Sequence, residues 1–425
     1  MGRNTSTTLL LSSIAVILAG CWLSTPPRPY RADAGEVDAA ADTAVPDVPP
    51  DMEPESWQFV DRDIPDRNIP VNLLFAAVPS VAWNGSTAGL VYRGMGSGEN
   101  TEYAGFIPLD ARGNVIGDEK ILAEYGVVGG FPLIAAADDG NFLFSTLIET
   151  PYDHVLIARV SPEGEILNLG ATPDYPGFNN PLSPPVRAGD FVFVATGARG
   201  TYQDEIHIYR FTWSGLVQDR AVILGMGDFG DGDPVIRNAP DSSNVLLFFR
   251  NSATSISIDE YSPDLELAGL MDPIEFDRPI SSYAAAANSS NWFLYAANHD
   301  YEESELILSC HASDGAWATG GMEAELYGYF LRACASDFPS WGGTVSVYFN
   351  DRWSIWVDIY AGPTPSFQIG ARIPISDDVE SRRMDDIPWT DIAWTDNGFL
   401  VVWDQWRMDY AYSVFSSFIA LEPEY

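Results

Sequence analysis

From about Trp57 onward, short apolar and β-branched runs alternate with turn residues, and the alternation recurs at a steady spacing. Seven runs stand out, at 89–92, 141–144, 190–193, 244–247, 291–294, 344–347 and 398–401. With Gly343 taken as the turn residue of the sixth, their starts lie 47 to 55 residues apart. A second landmark follows each of the first five: the tetrads ending at Gly113, Gly164, Gly215, Leu265 and Gly315, spaced 50 or 51 residues apart. Gly supplies positive φ and Ser-Pro or Asp opens a turn, so these tetrads predict hairpin connections. Strand-like runs precede them, such as 155–158 and 206–211, and others follow, such as 120–122 and 221–224. No segment of the body carries a convincing amphipathic helix pattern.

Each unit therefore reads as four short strands joined by tight turns. Four-stranded units of about fifty residues have the period of a β-propeller blade. The expected fold is all-β: a seven-bladed β-propeller of four-stranded antiparallel blades over 57–425. Two β-sandwiches would also give short strands, but not a fifty-residue recurrence held seven times. The last unit lacks a fourth strand, and a spare strand-like run lies upstream at 69–76. That run is expected to complete the last blade, with residues 70–77 beside the 413–421 strand, so that no open sheet edge is left. Trp83 and Trp394 occupy equivalent places, as do Tyr92 and Trp403. Such rings could stack on a ring-shaped ligand, but repetition at equivalent positions favours rings that fill the wedge between blades.

The N-terminus is of another kind. Arg3 precedes an apolar stretch from Leu9 to Leu18, the length of a secretory signal and too short for a bilayer core of about 30 Å. It ends in Leu18, Ala19, Gly20 and Cys21, a quartet that resembles the bacterial lipobox. The resemblance implies cleavage between Gly20 and Cys21, with Cys21 lipidated on its thiol and amine. Residue 22 is Trp rather than Asp, which in the enteric sorting rule implies the outer membrane. The segment 21–56 holds seven prolines and eight acids against Arg28 and Arg31, and with so little to bury it reads as a disordered tether. Signal (1–20), tether (21–56) and repeat (57–425) together resemble uncharacterised bacterial lipoproteins that carry β-propeller domains. The chain has no Gly-His…Trp-Asp spacing, no regular Gly-Gly pair and no Asp-box, so no named propeller family lends it catalytic residues.

Composition sharpens this picture. Lys and Arg number 22 against 60 Asp and Glu, a formal charge of −38. Such a charge repels phosphate backbones and anionic headgroups, which argues against nucleic acid and leaves the lipid anchor as the contact with membrane. With 46% hydrophobic and 13% aromatic residues the chain is too apolar to be a disordered acidic tail.

Candidate chemistry is sparse. Cys310 and Cys334 lie in a disulfide-permissive compartment, and either a bond between neighbouring blades or two separate thiols fits. His154, His207, His299 and His311 form no metal-type pair. Asp228, Asp231 and Asp233 in a Gly-rich loop could hold calcium but lack EF-hand spacing, and a solvated turn explains them as well. No Gly-x-Ser-x-Gly elbow is present, and with so many acids a chance pair means little. No catalytic residue and no cofactor is expected. The reading is a monomeric, lipid-anchored, non-enzymatic binding platform of the cell envelope, its partner an envelope protein or glycan. The alternative is a surface polysaccharide hydrolase or lyase, which requires carboxylates and aromatics to converge at the mouth of a central tunnel.

Overall fold

The computed structural model describes residues between 56 and 424, apart from 61–66, 71–74, 96–100, 126–130, 149–153, 173–181, 200–203, 226–233, 241, 301–304, 314–316, 324–331, 336–340, 351, 362–367, 380–387, 396–397 and 408–410. The signal, Cys21 and the tether up to residue 55 lie outside the described residues.

The described strands form seven antiparallel sheets, each of four or five strands. In most sheets the strands follow chain order, as in Phe75–Trp83, Ala88–Met95, Glu102–Leu109 and Lys120–Tyr125 of the first. First strands pack against first strands: Thr390–Thr395 lies beside Phe75–Trp83, which lies beside Leu133–Ala136. Arg332–Ala335 likewise touches both Ile280–Ala287 and Thr390–Thr395. Fourth strands face outward, where Ile121, Leu169, Ile223 and Leu270 are exposed. First strands therefore surround a central channel, and the fold is an all-β propeller, as the repeat predicts.

The core lies in wedges between neighbouring sheets, because successive side chains of a strand face opposite ways and a blade has a neighbour on each side. Val91 and Phe106 of the first sheet meet Phe142 and Phe144 of the second. Phe193 and Ile208 of the third meet Val245 and Leu247 of the fourth. Tyr92 belongs to the wedge between the first and seventh sheets, and Trp403 is wholly buried in the seventh. Trp83 and Trp394 are half-buried. Tyr92 and Trp403 are thus core fillers, and the stacking-platform alternative fails for them.

The first four tetrads are hairpins with one recurring mechanism, while the end of the fifth, at Gly315, lies outside the described residues. Ser161 Oγ accepts from the N–H groups of Glu163 and Glu165, Ser262 Oγ from those of Asp264 and Glu266, and Asp110 Oδ1 from those of Arg112 and Asn114. The residue closing each turn has positive φ: +81° at Gly113, +85° at Gly164, 49° at Leu216 and 55° at Leu265. In the third sheet this residue is Leu216 rather than Gly215, because the turn is one residue longer and Leu216 donates to Thr212 O. These residues plug the wedge toward the preceding sheet. Leu216 and Leu265 do so with buried side chains, whereas at Gly164 the ring of Phe106 already fills the space, 2.7 Å from where a Cβ would stand. Gly164→Ala is expected to lower stability by about 1–3 kcal/mol, through backbone strain and the clash together. A chemical denaturation curve with unchanged midpoint would contradict this account of the turn.

Closure of the ring differs from the expectation in its segment, not in its principle. The strand beside Ala411–Glu424 is Ser56–Val60, in register from Ser56 opposite Glu424 to Val60 opposite Ala420. Arg67 and Asn68 then pair with Ser416 and Phe415, and Ile69 N–H donates to Val414 O at 2.9 Å. Residues 75–77, expected beside the 413–421 strand, instead open the first sheet and pair with Arg93–Met95. Pro70 has no N–H with which to continue the ladder. The first strand carries a bulge between Ala77 and Ser80, with Val78 at φ 55°.

Candidate functional site

The channel is where charged groups from distant parts of the chain converge. Asp391, second residue of Thr390–Thr395, accepts at Oδ2 from Ser80 Oγ (2.7 Å) and Val81 N–H (2.9 Å), and at Oδ1 from Ile392 N–H (2.9 Å). Ser80 Oγ in turn lies 3.3 Å from the N–H of Ile134, so one carboxylate and one hydroxyl tie together the seventh, first and second sheets. Burial pushes the Asp391 carboxyl above the usual range, against the pull of the nearby Arg332 charge and these hydrogen bonds. On the adjoining strand of the same sheet, Asp404 accepts from Val78 N–H and Trp389 N–H, each at 2.8 Å. The bulged segment 78–81 is therefore held by two carboxylates of the last sheet.

Arg237, on the first strand of the fourth sheet, donates from Nε to Ala285 O of the fifth sheet and from Nη1 to Ile236 O, both at 2.8 Å. Desolvation brings its guanidinium down to about 10, Asp391 acts in the opposite sense, Arg332 adds to the lowering, and Cys334 opposes it. Arg237, Arg332, Cys334 and Asp391 are each only partly accessible.

Elsewhere the polar clusters are clamps between sheets. Trp213 carries the Arg187 guanidinium at 4.0 Å and that of Arg159 at 4.5 Å from its ring centre. These arginines are paired with Asp138 and Asp139 respectively. Arg210 joins Asp219 of its own sheet to Asp264 of the next turn.

The candidate residues from the sequence fare unevenly. Gly20 and Cys21 lie outside the described residues, as do Asp228, Asp231 and Asp233. Cys310 and Cys334 are two separate thiols. Cys310 sits on the third strand of the fifth sheet, opposite Tyr295, and burial pushes its thiol well up, whereas Cys334 lies on a first strand beside the channel. First and third strands are two strand widths apart within the radial order, which is why no bond joins them. His207 is a packed histidine, its ring nitrogens 3.1 Å from Tyr209 Oη and 3.0 Å from Glu205 Oε2. Among the described residues no three metal-ligating side chains gather.

His311 stands edge-on to Phe276, and burial holds its pKa below the ordinary value. The folded chain keeps it neutral while the unfolded chain takes up a proton near pH 6.5, so its contribution to stability is present above that pH and is lost as pH falls through and below it. Replacing it by Phe should flatten the dependence of the thermal midpoint between pH 7 and 5; an unchanged slope would assign that dependence to other groups.

Sequence reasoning missed Asp391, Asp404, Arg237 and Arg332. One signal was legible: Ser80-Val-Ala-Trp83 and Asp391-Ile-Ala-Trp394 are parallel quartets, so Ser80 and Asp391 were marked as equivalent positions on adjoining strands.

No family model matches the chain, and no curated protein matches it. Solved structures do resemble it in shape. A protein of unknown function from Dyadobacter fermentans aligns with 86% of this chain and 99% of its own, at 13% identity and TM-score 0.48. A neuraminidase-like protein from a flat-faced bat isolate in Peru aligns over 86% and 94%, at 9% identity and TM-score 0.41. An acylaminoacyl peptidase of Pyrococcus horikoshii aligns over 78% of this chain and 49% of its own, at 8% identity and TM-score 0.45. The chain carries a β-propeller domain of unknown function.

Proposed function

We propose that the chain is a lipid-anchored protein of the cell envelope, acylated at Cys21, whose seven sheets close as seven blades of one ring and serve as a non-enzymatic binding platform. The carrying observation is the state of the channel carboxylate. A general acid or nucleophile must exchange protons or attack substrate, whereas Asp391 is engaged by three donors and ties the ring shut. The hydrolase or lyase alternative draws on one feature, the raised Asp391 carboxyl. The charge that acts on it is that of Arg332, and it acts in turn on Arg237, whereas glycoside hydrolysis uses paired carboxylates. The acidity of the body fits a soluble ring held off an anionic surface by a fatty anchor and tether, with an envelope protein or glycan as partner.

The test compares the lipidated protein with a soluble version begun at Met52, each used to capture partners from envelope extract. Equal recovery of the same partner supports recognition by the ring. Recovery by the lipidated form alone, or release of chemically altered polysaccharide by the soluble form, defeats the platform reading. Mass spectrometry of the mature N-terminal peptide checks the acyl groups on Cys21 directly.

A further inference from the structure

All ten large hydrophobic residues that are exposed among the described ones lie on or just before the outer strand of four consecutive sheets, the first to the fourth. Val115, Ile166, Val217 and Leu267 stand at one equivalent place, each two residues past the end of its tetrad. The exposed residues are densest on Ile166–Ala171 of the second sheet, where Ile166, Leu167 and Leu169 all face solvent. Single exposed apolar side chains are ordinary on any surface, but three on one short edge strand mark a place of contact.

That strand is an open edge. It pairs with His154–Val160 on one side and with no other strand among the described residues. Thr172 N–H donates to Val155 O, so by the alternation of an antiparallel ladder the N–H and C=O of Leu169 and Ala171 point away from that neighbour. One face of the strand is covered by the third sheet. Asn168 Nδ2 donates to Ser214 O there, and Gly170 lies so close to Leu216 O that a side chain would strike it. The opposite face carries Leu169 and Ala171, both exposed. No side chain of Ile166–Ala171 is charged, so the strand lacks the device by which edge strands usually repel other chains.

Charge selects what would add to this edge. The turns and outer strands of the four sheets, residues 110–125, 161–172, 212–225 and 262–277, hold twelve acids against Arg112, Lys120 and Arg220. Glu163 and Glu165 stand just before the open strand, both exposed, and Glu165 shares Lys120 at 3.1 Å. Such a rim repels anionic headgroups and a second copy of a chain at −38. It attracts a basic segment, and an extended backbone supplies the donors and acceptors that match the edge. We propose that the outer edge of the second sheet, Ile166–Ala171, takes an added antiparallel strand from another protein, in which apolar residues alternate with Lys or Arg. The inference rests on the platform reading and names the class of partner that the ring takes.

The experiment uses the soluble protein begun at Met52, which keeps the closing strand Ser56–Val60, and a labelled short peptide in which valine alternates with lysine and threonine. Affinity is read by fluorescence anisotropy, and the place of contact by hydrogen exchange of backbone amides. The peptide should bind and slow exchange within 164–172 alone. The same peptide with glutamate for lysine, or with proline at its centre, should bind roughly ten-fold more weakly. Ala171→Pro removes an outward N–H and keeps the ladder to His154–Val160, whereas Leu169→Thr removes apolar contact and keeps the strand. Each should weaken binding roughly ten-fold, while Ile223→Thr, on the outer strand of the third sheet, should bind normally. If Ala171→Pro does not fold, Leu169→Thr and the exchange map of the unaltered protein decide. Protection outside 164–172, equal binding of either control peptide, or normal binding by both edge variants would each overturn the proposal. So would a dimer through this edge in light scattering, or tighter binding to phosphatidylglycerol vesicles than to the peptide. Failure here and failure of the platform reading are distinguishable. Envelope partners still captured by Ala171→Pro overturn the edge site alone, whereas no capture by the unaltered ring overturns the platform.

Discussion

A version of the chain begun at Pro70 will lose its single cooperative unfolding transition and associate in solution, whereas one begun at Met52 will unfold cooperatively as a monomer. The shorter version lacks Ser56–Val60, which pairs along the far end of Ala411–Glu424, and Arg67–Ile69, which pairs with its near half. Without them a fourteen-residue strand becomes an open edge of unpaired N–H and C=O groups, a template for other chains. The loss is also apolar. Ile69 is 2% exposed and packs with Leu400, Val402 and Val414 of the last sheet and with Tyr92 of the first. Burial of that side chain alone is worth about 1.5–3 kcal/mol, and with two stretches of ladder the total approaches the 5–15 kcal/mol by which domains are typically stable. Differential scanning calorimetry and size-exclusion chromatography with light scattering read both effects, and a synthetic peptide spanning 52–70 should restore the transition. Equal midpoints for the two versions would show that the ring does not depend on this strand.

Asp404→Ala is expected to cost about 3–5 kcal/mol, because it removes an acceptor shared by two backbone donors at a buried site. The carboxylate is 2% exposed, and both Val78 N–H and Trp389 N–H would be left without it. Val78 stands at φ 55°, a strained conformation for a β-branched residue, so the bulge depends on what holds it. Asp404→Asn retains one acceptor and should cost less. Asp391→Ala should act similarly through Ser80 and Val81, and the double variant should fall short of the sum, since both carboxylates hold the same four-residue segment. Urea denaturation at constant m-value measures each. Full additivity would mean that the two clamps are independent and that segment 78–81 is not their common element.

Much of the architecture was legible along the chain because its causes are local. The turn chemistry of Asp110, Ser161 and Ser262 acts within four residues of each side chain, so tetrads of the right composition fell at hairpins. One landmark slipped, at Gly215, where a turn longer by one residue passed the positive φ to Leu216. No composition rule expects a leucine there. It is held by the wedge it fills, which belongs to the neighbouring sheet.

The candidate site was barely legible, for the opposite reason. Arg237, Arg332 and Asp391 sit in unremarkable strand contexts, and nothing within fifty residues of any of them hints at the others. The aromatic pairs could be read, as equivalent places filled by large rings, because each repeats inside its own unit.

By itself the sequence determined the period, the strand order within each unit and the chemistry of the turns, since all of these arise from contacts inside one fifty-residue repeat. Only the tertiary structure decided which segment closes the ring and which charges share the channel. Closure joins Val78 to Asp404 across 326 positions and Ser80 to Asp391 across 311. Contacts of that span follow from bending the array of sheets back on itself, and no local propensity encodes where its two ends meet.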